Sequence, residues 1–315
     1  MAVNIVILER KSLGDDIDIS KFNDFGNLTV YDFTSSDEVA TKVQNADIII
    51  ANKAPMNKET LKDAHNLKLI CLTATGTNNV DFSYTEEHNI LVKNVKSYST
   101  MSVAQHTFAL LLYVYEKMSA YDEYVKSGKY CDSPLFSVFD RQFNELDKKV
   151  WGIVGLGEIG AKVAQIATSF GCHVIYYSTS GKNNNSSYER VTFDELLKKS
   201  DIISVHAPLN DDTYHLFNSE AFDKMKNSAV FLNLGRGPIV CEDALYEALI
   251  NDKIAAAGLD VLECEPIRTD NKLLKIKDST KLVITPHIGW ATLEARTRCV
   301  ERTYENVAQF IKMSL

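Results

Sequence analysis

Between Val150 and Tyr177 the chain reads VWGIVGLGEIGAKVAQIATSFGCHVIYY. An apolar run ends at Gly155, glycines follow at 157 and 160, an amphipathic stretch opens there, and a second apolar run closes the unit. Few folds accept that order. A G-x-G-x-x-G that follows a strand and opens a helix is the context a dinucleotide loop requires. Gly155 permits the tight turn and Gly157 lets backbone approach a pyrophosphate. The phosphates rest on the helix N-terminus, where free N–H groups point at them. Gly160 lets the helix lie close to the sheet. The same residues also read as a glycine-rich strand-to-helix turn with no ligand; the flanking strands favour the dinucleotide.

The same alternation of short apolar runs and helix-like spacing extends over most of the chain. Val3–Leu8, Leu28–Tyr31, Asp47–Ala51, Leu69–Thr73 and Ile90–Val92 read as strands. A single helix is expected from Val103 to Val125, then an irregular aromatic segment, YCDSPLFSVFDRQF. From Val150 the alternation restarts with VWGIVG, HVIYY, DIISVHA, AVFLNLG, IAAAGLD and KLVIT, and a last amphipathic helix spans Leu293 to Ile311. Asn183–Ser187 (NNNSS) reads as a surface loop. Such alternation predicts an α/β fold with parallel sheets. At 315 residues it predicts two domains, by the prior of roughly 100–200 residues each.

Composition narrows the partners. The chain is 45% hydrophobic and 24% charged, with a formal net charge of −8, and its basic doublets (Lys148 with Lys149, Lys198 with Lys199) fit solvated helix ends. No basic stripe tracks a phosphate backbone, so nucleic acid is not an expected partner. No apolar run approaches the ~18 residues of a membrane span, and no signal-like segment leads the sequence. Cys71, Cys131, Cys172, Cys241, Cys264 and Cys299 form no C-x-x-C pair, which predicts reduced thiols and a cytoplasmic protein. No clustered metal ligands are seen.

The second strand of a dinucleotide unit normally ends in Asp or Glu, which accepts hydrogen bonds from the adenosine ribose. Here Ser178 stands there, in YYSTSGK. No carboxylate repels a 2′-phosphate, and Ser178, Thr179, Ser180 and Lys182 are able to meet one. No arginine stands in that stretch to clamp it. NADH and NADPH both remain open.

Three further stretches share one character. FLNLGRGPIV places Arg236 just past an apolar run, AGLDVLECEP places Glu265 past another, and VITPHIGWAT places His287 past a third. Singly, each has an ordinary reading: a turn arginine, a loop Glu-Pro, a structural histidine. Together, behind a dinucleotide loop, they read as a site at the carboxyl ends of parallel strands.

On these stretches the chain resembles the D-isomer-specific 2-hydroxyacid dehydrogenases. The matching motifs are TATGTNNVD, YSTMSVAQHTFALLL, GIVGLGEIG, HAPLNDDT, NLGRGPIV, GLDVLECEP and TPHIGWAT. ATG, YST and PHIGWAT look most like the glycerate dehydrogenase/hydroxypyruvate reductase branch. The resemblance implies a Rossmann doubly wound sheet, residues 99–288, inserted in a flavodoxin-like substrate-binding domain, residues 1–98 plus 289–315, with the site in the cleft between them. It implies that Arg236 holds the substrate carboxylate and carbonyl, His287 donates the proton, and Glu265 orients His287 and favours its charged form. Thr75 and Gly76 would meet substrate, Thr75 also the cofactor. The further cofactor contacts implied are Gly155, Gly157, Glu158, Ile159, Gly160, Ser178, Thr179, His206, Ala207, Pro208, Thr213, Leu234, Gly235, Asp260 and Gly289. The long helix and the segment after it correspond to the family's dimer-forming region, so a homodimer is expected. Gln105, Tyr130, Asn78 and Ser178 depart from the common family residues.

The reading is NAD(P)H-dependent reduction of a small 2-oxo acid, hydroxypyruvate or glyoxylate, to the D-2-hydroxy acid. A second reading keeps the fold and the three residues in a dinucleotide-sensing, corepressor-like binding protein. The compact chain, with no tail-like extension for docking motifs, favours the first.

Overall fold

The computed structural model describes residues 2–314. Two compact units emerge, Met1–Ser99 with Ala291–Leu315, and Thr100–Trp290.

The first unit contains β1 (Val3–Ile7), β2 (Gly26–Val30), α1 (Val39–Val43), β3 (Ile48–Ala51), α2 (Lys58–Leu61), β4 (Leu69–Leu72), α3 (Phe82–Glu87) and β5 (Leu91–Asn94). The five strands are parallel in the order β2-β1-β3-β4-β5, a flavodoxin-like order. β3 (IIIA) and β4 (LICL) are buried at every position, as expected of parallel strands covered on both faces. Alternate residues feed two cores. Val6, Ile49 and Ile70 pack with Val39, Val43 and Leu61 of the helices. Ile5, Ile7, Ile48 and Cys71 pack with Phe22 and with Val300 and Val307 of the C-terminal helix, Leu293–Ser314.

The second unit contains α4 (Thr100–Tyr115), α5 (Met118–Lys126), β6 (Val150–Val154), α6 (Glu158–Ser169), β7 (His173–Tyr177), β8 (Glu189–Arg190), α7 (Phe193–Lys199), β9 (Ile202–Val205), α8 (Ser219–Asp223), β10 (Val230–Asn233), α9 (Glu242–Ile250), β11 (Ala256–Leu259) and β12 (Leu282–Ile284). Its seven parallel strands run β12-β11-β10-β9-β6-β7-β8. The order reverses between β6 and β9, the switch point where doubly wound sheets bind ligands. On one face Trp151, Ile153 and Leu232 meet Leu110 and Leu111 of α4 and Val163 and Ala167 of α6. On the other, Val154, Ile203 and Phe231 meet Leu196 of α7, Phe222 of α8 and Leu245 of α9.

Several elements differ from the sequence reading: β2 begins at Gly26 rather than Leu28 and β5 ends at Asn94 rather than Val92. The helix expected as one piece is two, broken at Lys117, whose φ is +56°. No Gly or Pro marks the break. It falls where burial ends: α4 buries nine residues, whereas α5 buries none. β8 was not foreseen; it is a two-residue strand paired only with Ile175 and Tyr176. The C-terminal helix continues past Ile311 to Ser314.

Candidate active site

Parallel strands all end on one edge of their sheet, so the loops after β6, β7, β9, β10, β11 and β12 share that edge. Every site residue that the sequence points to in this unit lies on those loops or at the start of α6.

The loop after β6 has the geometry of an anion cradle. Gly155 has φ +89°, a conformation that disfavours a side chain, and a Cβ there would stand 2.8 Å from the backbone of Ala207. A Cβ on Gly160 would stand 2.2 Å from the Gly155 carbonyl oxygen, whereas one on Gly157 would meet nothing within 4 Å. Two glycines are therefore required by packing, and the third faces open space. Gly157 caps α6 with no side-chain hydrogen bond, so the first N–H groups of a twelve-residue helix are left for a ligand. Glu158 and Ile159 form its first turn. These residues fit a dinucleotide pyrophosphate.

After β7, Ser178 is buried, and its hydroxyl accepts the Asn183 N–H at 3.3 Å. Asn183 reaches back through its side-chain amide to the Leu156 carbonyl, tying this loop to the glycine loop. Thr179 follows. The absence of an arginine from the sequence of this stretch does not hold in space. Arg190, on β8, places Nη2 3.8 Å from where a Cβ on Gly181 would stand. Pairing of β8 with β7 brings it there across a loop that sequence spacing could not close.

After β9, Ala207 backs Gly155 as above, and the loop Pro208–Thr213 is closed by Thr213 Oγ1 donating to the Pro208 carbonyl at 2.8 Å. His206 Nε2 lies 3.0 Å from Ser204 Oγ, which also accepts Trp151 Nε1–H at 2.9 Å. The buried His206 Nδ1 has no partner among the described residues. Burial pulls the His206 pKa down to about 3, so the ring is neutral near pH 7.

After β10, Leu234, Gly235 and Arg236 form a turn closed by the buried side chain of Asn233. Its amide donates to the Arg236 carbonyl at 3.0 Å and its oxygen accepts the Gly235 N–H at 3.1 Å. Arg236 Nη1 donates to the Gly235 carbonyl at 2.8 Å. Directly beyond, a Cβ on Gly237 would stand 1.8 Å from the Leu262 carbonyl oxygen. The loop of Arg236 is thus pressed against the loop that leads to Glu265.

Glu265 is held at both ends. Oε1 accepts the Leu262 N–H at 2.9 Å, and Oε2 lies 2.7 Å from His287 Nδ1. A carboxylate only accepts, so Nδ1 carries the proton and Nε2 faces away from Glu265. Both side chains are partly exposed, His287 27% and Glu265 34%. His287 has φ +54°, a backbone state uncommon for a side-chain-bearing residue. Its N–H donates to the Thr285 carbonyl at 2.9 Å.

Asp260 holds that turn from beneath. Oδ1 accepts the Ile288 N–H at 2.9 Å and the Thr285 hydroxyl at 2.7 Å, and Oδ2 accepts the Gly289 N–H at 2.8 Å. His106 of α4 lies 3.3 Å from Oδ1, and Ser102 donates to the Gly289 carbonyl at 2.6 Å. Burial raises the Asp260 pKa, but hydrogen bonds from His106, Thr285, Gly289 and Ile288 outweigh it and hold the carboxyl below its ordinary range.

Thr75 and Gly76 belong to the first unit, on the loop after β4. Thr75 Oγ1 donates to the Val95 carbonyl at 2.9 Å, and the Asn94 amide donates to the Thr75 carbonyl at 2.6 Å.

The sequence reading missed Asn233, His106 and Thr285, which hold the site residues rather than face a ligand. His106 stood inside a quoted motif; four residues after Ser102, it shares a face of α4 with it. Among the described residues no group of three or more His, Cys, Asp or Glu is placed to hold a metal ion. No described helix is long and apolar enough to cross a membrane.

Comparison with known proteins agrees with this geometry. The family profile described as "D-isomer specific 2-hydroxyacid dehydrogenase, NAD binding domain" matches residues 108–289. The chain is 38% identical to a hydroxypyruvate reductase of Blautia hydrogenotrophica, over 99% of this chain and 98% of that protein. It is 32% identical to a glycerate dehydrogenase of Methylorubrum extorquens, over 99% and 97%. Among solved structures, an acyclic imino acid reductase (Bsp5) in complex with NADPH and D-Arg matches with a TM-score of 0.88 at 30% identity, covering 99% of this chain and 98% of that one. With a dinucleotide cradle at the switch point and an Arg, Glu and His on three neighbouring strand ends, the chain belongs to the D-isomer-specific 2-hydroxyacid dehydrogenases and is an NAD(P)-dependent oxidoreductase.

Proposed function

We propose that the protein reduces a small 2-oxo acid, hydroxypyruvate to the D-2-hydroxy acid or glyoxylate to its achiral 2-hydroxy acid, with His287 as proton donor. The observation that carries the proposal is the Glu265–His287 contact of 2.7 Å, on the strand end beside the loop of Arg236. The bound reduced nicotinamide supplies the hydride. Arg236 offers a planar fork of donors to the substrate carboxylate and to the carbonyl oxygen as charge gathers there. The His287 ring, with Nδ1 committed to Glu265, presents Nε2 to that oxygen and delivers the proton that completes the alcohol. Glu265 stabilises the charged ring before transfer and fixes its plane. Asp260 is suited to accept from the cofactor carboxamide, because Oδ2 receives one backbone N–H and an ionised carboxylate oxygen accepts more than one.

A relative named hydroxypyruvate reductase at 38% identity supports the substrate class. A homodimer is also proposed. Phe136 is 90% exposed and Phe139 84%, on the irregular segment after α5, and such an apolar patch suits a self-complementary contact.

The test is loss of reduced-nicotinamide absorbance with purified protein and hydroxypyruvate or glyoxylate. Rapid loss supports the proposal. Cofactor binding with no turnover on any small 2-oxo acid defeats it and points to the dinucleotide-sensing binder.

A further inference from the structure

The loop after β7 has an electrostatic character opposite to that of the molecule. The chain carries a net charge of −8, yet residues 178–188 contain no Asp or Glu and include Lys182. Arg190 joins that loop in space. Its Nη1 donates to Asn184 Oδ1 at 2.9 Å and to the Asn183 carbonyl at 3.4 Å. Both acceptors are neutral. They orient the guanidinium without cancelling its charge. The neighbouring carboxylate does not cancel it either. Glu189 lies on the opposite face of the same short strand and sits 3.6 Å from His173 and 3.9 Å from Lys199. Arg190 has no carboxylate partner among the described residues, and neither does Lys182.

What remains of Arg190 is its Nη2 edge, and this edge lies beside Gly181, whose missing side chain leaves the approach open. The Ser180 hydroxyl accepts the Lys182 N–H at 3.3 Å and keeps its own proton to donate. The loop is also preorganised. Tyr176 donates to the carbonyls of Asn183 and Asn185 at 3.2 and 3.3 Å, and Asn183 fastens the loop to Leu156 of the glycine cradle.

We infer that Arg190, with Ser180 and Lys182, forms a binding site for the 2′-phosphate of the adenosine ribose, so that this enzyme selects NADPH over NADH. The end of the second strand is where a dinucleotide places that ribose. A dianionic phosphate matches a planar cation with two free donors and an adjacent ammonium, whereas a bare 2′-hydroxyl finds no carboxylate acceptor there. The inference rests on the dinucleotide reading of the glycine loop and not on which 2-oxo acid is reduced.

Calorimetric titration of the full-length protein with NADP⁺ and with NAD⁺ tests it without any turnover. The wild type is expected to bind NADP⁺ more tightly by about 10- to 100-fold, the range of a charge-assisted hydrogen-bonded contact. Arg190→Ala is expected to collapse that ratio to about one, and Arg190→Lys to restore part of it, since an ammonium lacks the fork. Raising ionic strength should weaken NADP⁺ more than NAD⁺. Equal affinities in the wild type, or a preference for NAD⁺, overturn the phosphate site alone. A loss of both affinities in equal measure in Arg190→Ala also overturns it, because Arg190 then only braces the loop. Failure of both nucleotides to bind the wild type overturns the dinucleotide reading as well.

Discussion

His287 donates an Nδ1–H hydrogen bond to Glu265 across 2.7 Å, and this contact decides which nitrogen is left for a ligand. Replacing Glu265 by Gln keeps the shape but removes the charge, and the amide can rotate to donate to Nδ1. The Nε2-protonated tautomer is then no longer disfavoured. Glu265→Gln is expected to lower kcat by about 10- to 100-fold, and His287→Asn by about 10²- to 10⁴-fold, the range of a general acid. Steady-state kinetics with matched dinucleotide-binding measurements check both, with binding expected to persist.

Arg236 is a different case, because in the proposed reaction it would meet substrate in the ground state and in the transition state alike. Arg236→Lys retains the charge but loses the fork. A fall in kcat/KM of about 10²-fold or more is expected, with KM raised as well. Unchanged kinetics would remove Arg236 from the site.

Gly157 and Gly160 separate ligand space from packing space. Gly160→Ala puts a methyl group against the Gly155 carbonyl and should cost about 1–3 kcal/mol of stability, read in denaturant unfolding. Gly157→Val meets no protein atom at Cβ. It should leave unfolding nearly unchanged while weakening dinucleotide affinity at least about tenfold, because its bulk fills the phosphate approach.

Asp260 links the site to acid stability. Its folded pKa lies below 3.8, so its ionised form contributes stability above that value, which is lost as pH falls through the folded pKa. Asp260→Asn replaces one of the two oxygens, each of which accepts a backbone N–H, by an NH2 donor, so one of those N–H groups loses its acceptor. The substitution should destabilise by about 1–3 kcal/mol near pH 7, with the gap from the wild type closing below about pH 4. Thermal unfolding against pH checks the convergence.

His206 acts at a higher pH. The folded ring resists protonation down to about 3, against an ordinary 6.5. As pH falls below 6.5 the unfolded chain takes up the proton first, so stability is lost between 6.5 and about 3. His206→Gln should flatten that decline by about 1–3 kcal/mol at pH 4, visible in the same unfolding series.

Much of this was legible in the sequence because burial writes itself plainly in parallel sheets. VFLN and AAGL are buried at every position, so the ends of β10 and β11 could be read and the residues beyond them named. The glycine loop was legible for the same reason: its spacing is fixed by contacts within a few residues. What could not be read depends on pairing at a distance. Arg190 reaches the β7 loop only through a two-residue strand, which carries no periodicity. Lys117 breaks a helix without Gly or Pro. Asn233, His106 and Thr285 act by gripping other residues, and nothing in their own neighbourhoods distinguishes them from ordinary polar positions.

Proton donation by His287 during reduction of a 2-oxo acid is open to direct measurement. The most direct test is single-turnover oxidation of the enzyme-bound reduced dinucleotide, NADH or NADPH, by hydroxypyruvate, comparing wild type with His287→Asn. A rapid loss of absorbance is expected in the wild type, at least about 10²-fold slower in the variant, with the dinucleotide bound equally well by both. Equal rates in the two proteins, or no oxidation by the wild type with hydroxypyruvate, glyoxylate or another small 2-oxo acid, would contradict it.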